Sequence, residues 1–203
     1  PRRLAGGQDL KADLLVLRGL LQGWTGQPAK PSSPRNAPPP PYRGGPTTAQ
    51  APAAAGISRE TPVAAVVEHL AQDTEAALAR HELMQLASLP SAHPEPGESQ
   101  VSRWMFETPF LTPQGASVAQ FEISRDDAQT RRDGGHGPVY RARFSIDIDP
   151  LGPVHAQVAL AGDHAGVTLW AERDSSVAVL RKAQGWLSEA LSRADLRSDI
   201  AVY

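Results

Sequence analysis

The sequence predicts an α+β protein: a small antiparallel sheet, arranged as a meander and covered on one face by an amphipathic helix, preceded by a long helix and a disordered Pro-rich segment. Three observations predict it. Apolar residues recur at helical spacing over 9–24, 63–84 and 177–194. From Arg103 to Ala171 the period falls to two, the pattern of strands with one buried face. Between the first two helical stretches, Thr25 to Gly56 contains no Leu, Ile, Val, Met, Phe or Trp, and Pro28 to Pro52 holds nine of the chain's 19 prolines. Such a stretch cannot bury enough apolar surface to offset the entropy of ordering it. The chain thus divides into a short amphipathic helix at 1–24, a disordered linker at 25–57, a helical segment with its loop at 58–100, and a C-terminal domain at 101–203.

The first helix places Leu10, Leu14, Leu17, Leu21 and Trp24 on one stripe. It is short enough to need a surface to dock on. In the linker, Pro39-Pro40-Pro41-Tyr42 matches the PPxY pattern read by small aromatic-grooved modules, a pattern common by chance in Pro-rich chain. The second helix opens with Thr61 as a cap and Pro62 at the first helical position. Its apolar face runs Val63, Val66, Val67, Leu70, Thr74, Ala77, Leu78, His81 and Met84, and it stops near Leu89-Pro90 before a polar loop over 91–100.

Trp104, Phe106 and Phe110 mark the first strand of the domain. Ala119, Phe121 and Ile123 alternate with Gln120 and Glu122, expected on the wet face, in the second. After a polar loop over 125–137, Tyr140, Ala142, Phe144, Ile146 and Ile148 alternate with Arg141, Arg143, Ser145, Asp147 and Asp149. Asp149-Pro150-Leu151-Gly152 reads as a type I turn. The next strand points Val154, Ala156, Val158 and Leu160 inward, and a Gly162–Gly166 turn leads to Val167, Leu169 and Ala171. Asp174 or Ser175 caps a last helix with Val177, Leu180, Gln184, Leu187, Leu191 and Ala194 on its stripe, and 200–203 is a candidate final strand.

The chemistry-bearing residues argue against several function classes. A net charge of −2 gives no concentration of cations for a nucleic-acid interface. The absence of cysteine removes disulfides, thiol catalysis and Cys-based zinc sites. No run reaches the roughly 20 apolar residues of a membrane span, so no membrane insertion is expected. No HExxH helix, phosphate loop, dinucleotide fingerprint or nucleophile elbow is present. Asp147 and Asp149, with His155, form a conceivable metal group, but alternating wet-face carboxylates explain them more simply. No catalytic residue, metal ligand or cofactor is assigned, and the expectation is a non-enzymatic protein that works by contacting another protein. The chain opens on Pro1 without Met and is read as a fragment.

One ordered set of segments carries a resemblance. It comprises Trp104 to Phe110, Ala119 to Ile123, Phe144 to Asp147, Pro150 to Val158, Val167 to Glu172 and the helix from Val177 to Leu191. In this order they resemble the C-terminal domain of bacterial flagellar hook-length control proteins. The resemblance implies a protein of the bacterial cytoplasm that is exported through the flagellar type III apparatus. Its C-terminal domain would contact the cytoplasmic domain of the export-gate switch subunit and turn export from hook-type to filament-type substrates. Hook and hook-cap proteins are further implied partners, and a monomer is expected. The partner-binding residues so implied are Pro150, Leu151, Gly152 and Val154. They match the family's Pro-x-Leu-Gly-like motif in part, with the Pro-to-Leu spacing shortened. The alternative is a generic intracellular adaptor acting through its Pro-rich linker.

Overall fold

Two stretches of helical spacing fold as expected in type and extent. In the computed structural model, which describes residues 10–31, 39–53, 56–90, 102–112, 115–126 and 137–203, they form α1 (Leu10–Thr25) and α2 (Val63–Ser88). The chain separates into two compact units, residues 1–42 with 55–84 and residues 43–54 with 85–203. In the first, Leu21 of α1 meets Val67 and Ala71 of α2, with Ala29 packed against them. Gln22 donates to Glu75 across the pair at 3.4 Å. The expected stripe of α1 is only partly used: Leu21 is buried while Leu10, Leu17 and Trp24 stay exposed. The buried line of α2 is Val67, Ala71, Thr74, Leu78, Met84 and Ala87, and Val63, at the start of the expected face, is exposed. The Thr74 hydroxyl is satisfied by donating to Leu70 O at 2.6 Å. Thr61 does not cap as expected; its hydroxyl accepts from the Ser58 N–H at 3.0 Å.

The second unit is a sheet of seven strands: β1 (Gln50–Ala53), β2 (Ser102–Thr112), β3 (Gly115–Asp126), β4 (Val139–Ile148), β5 (Gly152–Ala161), β6 (His164–Ala171) and β7 (Arg197–Val202). From β2 to β6 each strand pairs antiparallel with the next, the expected meander. α3 (Asp174–Ser192) then carries the chain over so that β7 lies parallel to β6. β1 falls inside the stretch read as linker and pairs with β3 beyond the last β3–β4 pair, Gln120 opposite Ser145. The 125–137 loop lies largely outside the described residues, as does the 91–100 loop. Among the described residues no helix is long and apolar enough to cross a membrane.

Residues directly opposite in the ladders share a face, so register identifies the apolar face, which is buried at Ala156 and Val202 and exposed at Phe106. One face carries Phe106, Phe121, Phe144, Ala156, Leu169 and Val202 in a row across β2 to β7. Phe106 and Phe121 stack at 5.0 Å between centroids and Phe121 meets Phe144 at 5.5 Å, contacts worth about 1 kcal/mol each beyond their area. α3 packs on the β6–β7 end of the sheet. Val177, Leu180, Gln184, Leu187 and Leu191 are its half-buried line; Ala194 lies beyond the helix end and is exposed. Its N-cap is Arg173, not Asp174 or Ser175, and no side chain caps it.

The outer strands β2 and β7 are blunted against further pairing. The Met105 N–H at the free edge of β2 is taken by Ser88 Oγ at 2.8 Å, and Pro109, four residues on and directed the same way, has no N–H to offer. On β7, Gln184 Nε2 reaches Ile200 O at 2.6 Å and Arg181 reaches Val202 O at 3.3 Å. At the β5–β6 turn Asp163 ties down the start of β7, accepting from the Arg197 guanidinium at 2.7 Å and from its N–H at 2.8 Å. That side-chain bond holds the Asp163 carboxyl below its ordinary range. A depressed carboxylate stabilises the fold above the unfolded-state pKa and loses that contribution as pH falls through the folded value. The pair is exposed, so the effect on stability is small. Arg197→Gln is expected to return the Asp163 carboxyl to the ordinary range, read by NMR titration of its side-chain carbon.

Candidate partner-contact site

The β4–β5 hairpin is in register from Val139 opposite Ala161 to Ile148 opposite Gly152. Its turn is Asp149, Pro150 and Leu151. The Asp149–Pro150 peptide is cis and Gly152 has φ +72°, so the loop differs from the type I geometry that Asp-Pro-x-Gly suggests. Asp149 and Pro150 are exposed and Leu151 is half-buried. Gly152 is buried, and Val154, 8% exposed, points into the core. The four residues therefore divide: Pro150 and Leu151 form a presented tip, while Gly152 and Val154 seat it.

The start of α3 grips this turn. Arg173 Nη1 donates to Pro150 O at 2.9 Å, and Ser176 Oγ donates to Leu151 O at 2.6 Å. Ser176 is 2% exposed, so its hydroxyl is committed to that bond. A Cβ at Gly152 would lie 2.5 Å from Arg173 Nε, so the guanidinium lies directly against the glycine. The Glu172 N–H closes the joint on Pro153 O at 3.2 Å. With its two carbonyls held from behind, the turn presents a Pro ring and a Leu side chain with little conformational freedom left to lose on binding. Arg173 and Ser176 were not legible as part of the site; Asp-Ser-Ser before an apolar run signals a cap, and only the fold reveals a hydroxyl turned to another strand.

A second polar group lies on the opposite face of the same hairpin. Ser145, fully buried, has its Oγ 2.7 Å from His155 Nδ1 and 2.7 Å from Thr47 Oγ1, and donates to Thr47 O at 3.1 Å. His155 Nε2 faces Glu172 Oε1 at 3.4 Å. The order Ser, His, Glu is that of a hydrolytic triad, but a nucleophile needs an open approach for its substrate. The Ser145 hydroxyl is sealed and engaged with Thr47, so the group acts as a clasp on residues 43–53. Asp147, Asp149 and His155 are not brought together as ligands; among the described residues no group of three or more metal-binding side chains is assembled. The Pro39–Tyr42 motif has irregular backbone, with Tyr42 exposed and Pro39 O accepting from Arg80 at 3.3 Å.

The segment that builds the turn, the meander around it and α3 is also the segment that known proteins share. Residues 128–202 match the family model of the flagellar hook-length control protein FliK. The C-terminal part of this chain is thus similar to hook-length control proteins, as the ordered motifs implied. The FliK match begins ahead of β4 and ends in β7, so it contains the turn and both residues that grip it. Among solved structures, the crystal structure of the PscP SS domain aligns at 27% identity over 30% of this chain and 66% of that chain, with a TM-score of 0.27. No curated protein matches.

Proposed function

We propose that the protein is a flagellar hook-length control protein whose C-terminal domain contacts the cytoplasmic domain of the export-gate switch subunit and turns export from hook-type to filament-type substrates. The observation that carries this reading is the FliK family match over 128–202, which spans the Pro150–Gly152 turn. Pro150 and Leu151 are the contacting residues. Gly152, Val154, Arg173 and Ser176 hold them in place. The blunted edges of β2 and β7 favour contact through this tip over addition of a partner strand to either of them. No covalent chemistry is required of the domain, whose role in this reading is a protein–protein contact made without a cofactor.

Leu151→Asp tests it. The side chain is half-exposed at a turn, so the variant is expected to keep its thermal midpoint within a few degrees. Binding to the export-gate cytoplasmic domain is expected to weaken by about 100-fold, since truncating or charging a contact anchor typically costs 2 kcal/mol or more. Cells carrying the variant are expected to make overlong hooks and few filaments. Normal hooks and filaments with a folded Leu151→Asp protein would remove the turn from the switch.

A further inference from the structure

Residues Arg43–Ala53 cross the polar face of the sheet before joining it as β1. The side-chain holds described between this strap and the sheet are polar. Thr47 bonds to Ser145, the Thr48 N–H donates to Gln120 Oε1 at 2.7 Å, and Gln50 bonds to Glu107. Among the described residues its ladder is β1 against β3, four residues long and broken in register between Gln50 and Ala53. Thr47, Thr48, Ala49 and Gln50 are half-buried, and the strap buries no large apolar side chain.

What lies beneath is equally unusual. Gln120 is 3% exposed, Glu122 2%, Ser124 7% and Ser145 0%. Cross-strand pairing puts all four on one face, with Arg143 opposite Glu122 and Arg141 opposite Ser124. A permanently sealed face is more cheaply made of apolar residues, because every buried polar group carries a desolvation cost that its bonds only offset. A face that is alternately covered and wet has to be polar. An element held by few hydrogen bonds and no apolar burial is also the one that opens at low free energy.

The strap sits close to the turn. Its clasp, Ser145 opposite His155, is three residue pairs from Ile148 opposite Gly152, where the hairpin ends. Arg143, His155, Gln157 and Trp170 line a recess of about 250 Å³ beside Pro46 and Thr47. We propose that the strap is an autoinhibitory cover. Its release uncovers a polar face flanking the Pro150–Gly152 turn, which then takes an extended segment of the turn's partner with the strap's own chemistry: hydroxyl and amide side chains and backbone donors. This rests on reading the turn as the partner contact.

The native chain has no cysteine, so Thr47→Cys with Ser145→Cys introduces a single lockable pair across the clasp. Hydrogen exchange of the full chain is read by mass spectrometry, and affinity is measured for the cytoplasmic domain of the export gate. Strap amides are expected to exchange at least about 100-fold faster than those of β4 and β5, because local opening lies well below global unfolding. Oxidation is expected to slow the strap to the β4–β5 rate and weaken binding by about tenfold or more, within the usual range of coupling between sites. Reduction restores both. Gln120→Ala, which removes the acceptor of the Thr48 N–H, is expected to move both readouts the other way, and it decides the matter if the cysteine pair does not close. Strap amides that exchange only with β4 and β5 in the reduced and Gln120→Ala proteins overturn the proposal. So does an affinity indifferent to both variants while Leu151→Asp weakens binding as expected. If Leu151→Asp leaves binding intact, the turn reading fails by itself, and the exchange rates still judge whether the cover opens.

Discussion

Gly152→Val is expected to lower the thermal midpoint of the C-terminal unit by about 10 °C, the largest effect of any single change at the turn. Two costs combine. The residue sits at φ +72°, where a non-glycine residue costs about 1–3 kcal/mol and a β-branched one falls at the upper end. The new Cβ would also lie 2.5 Å from Arg173 Nε and 2.7 Å from its Cζ. A guanidinium at the end of a flexible side chain can swing away, so this is no backbone collision. Swinging away, however, gives up the bond to Pro150 O, worth about 1 kcal/mol net. A sum near 4 kcal/mol, about 3 of it from the backbone, gives a shift of this order for a unit of this size. Gly162 is the control: its φ is +61° and nothing lies within 4 Å of its virtual Cβ, so Gly162→Val carries the backbone cost alone. The difference between the two midpoints measures the Arg173 contact. Arg173→Ala in the Gly152→Val background is expected to recover little of the midpoint, because the bond is lost in both. Equal shifts for Gly152→Val and Gly162→Val would mean that Arg173 does not seat the turn.

The meander was legible because its strands alternate cleanly: Tyr140 to Asp149 and Val154 to Leu160 admit one register that buries the apolar set. α3 was legible for the same reason at helical period. What escaped was ordered by long-range polar contact, which leaves no periodic trace. Residues 43–53 contain no large aliphatic residue, and composition alone marks them as linker; they are placed by hydroxyls and amides that find partners on β3 and β4. Gln120 and Glu122 alternate with Phe121 and therefore read as solvent-facing, yet both are buried, and Gln120 accepts from the strap's Thr48 N–H. At the candidate site, the Pro-Leu-Gly element was visible as a turn and Val154 as an inward-pointing strand residue, and Val154 is buried at 8% exposure. Arg173 and Ser176 were hidden because their roles depend on which turn the start of α3 meets.

The polar face supplies the second large effect. Glu122 is 2% exposed, with Arg103 Nη1 3.7 Å from its Oε2 and Arg143 Nη1 3.8 Å from its Oε1. Both distances exceed a hydrogen bond, and Oε2 has no hydrogen-bond partner. The carboxylate is therefore held by charge more than by directed bonds, which makes its removal and its neutralisation nearly equivalent. Glu122→Leu is expected to cost about 3 kcal/mol, the penalty for stranding a charge whose partner is gone. The stranded group is Arg103, whose side chain is 22% exposed; Arg143 is 44% exposed and also reaches Gln157 at 3.3 Å, so it loses less. Restoring balance is expected to restore stability: Glu122→Leu with Arg103→Leu should recover at least about 1 kcal/mol over Glu122→Leu alone, because a buried ion pair replaced as a pair is often neutral. Glu122→Leu with Arg143→Leu should recover less. Urea midpoints of the wild type, three single variants and two double variants close both cycles. Coupling larger at Arg143 than at Arg103 would place the buried charge on the hairpin side of the sheet. Coupling larger at Arg103 places it under Gly44, whose virtual Cβ lies 3.3 Å from Arg103 Nη1, and ties the cost of the charge to the strap that covers it.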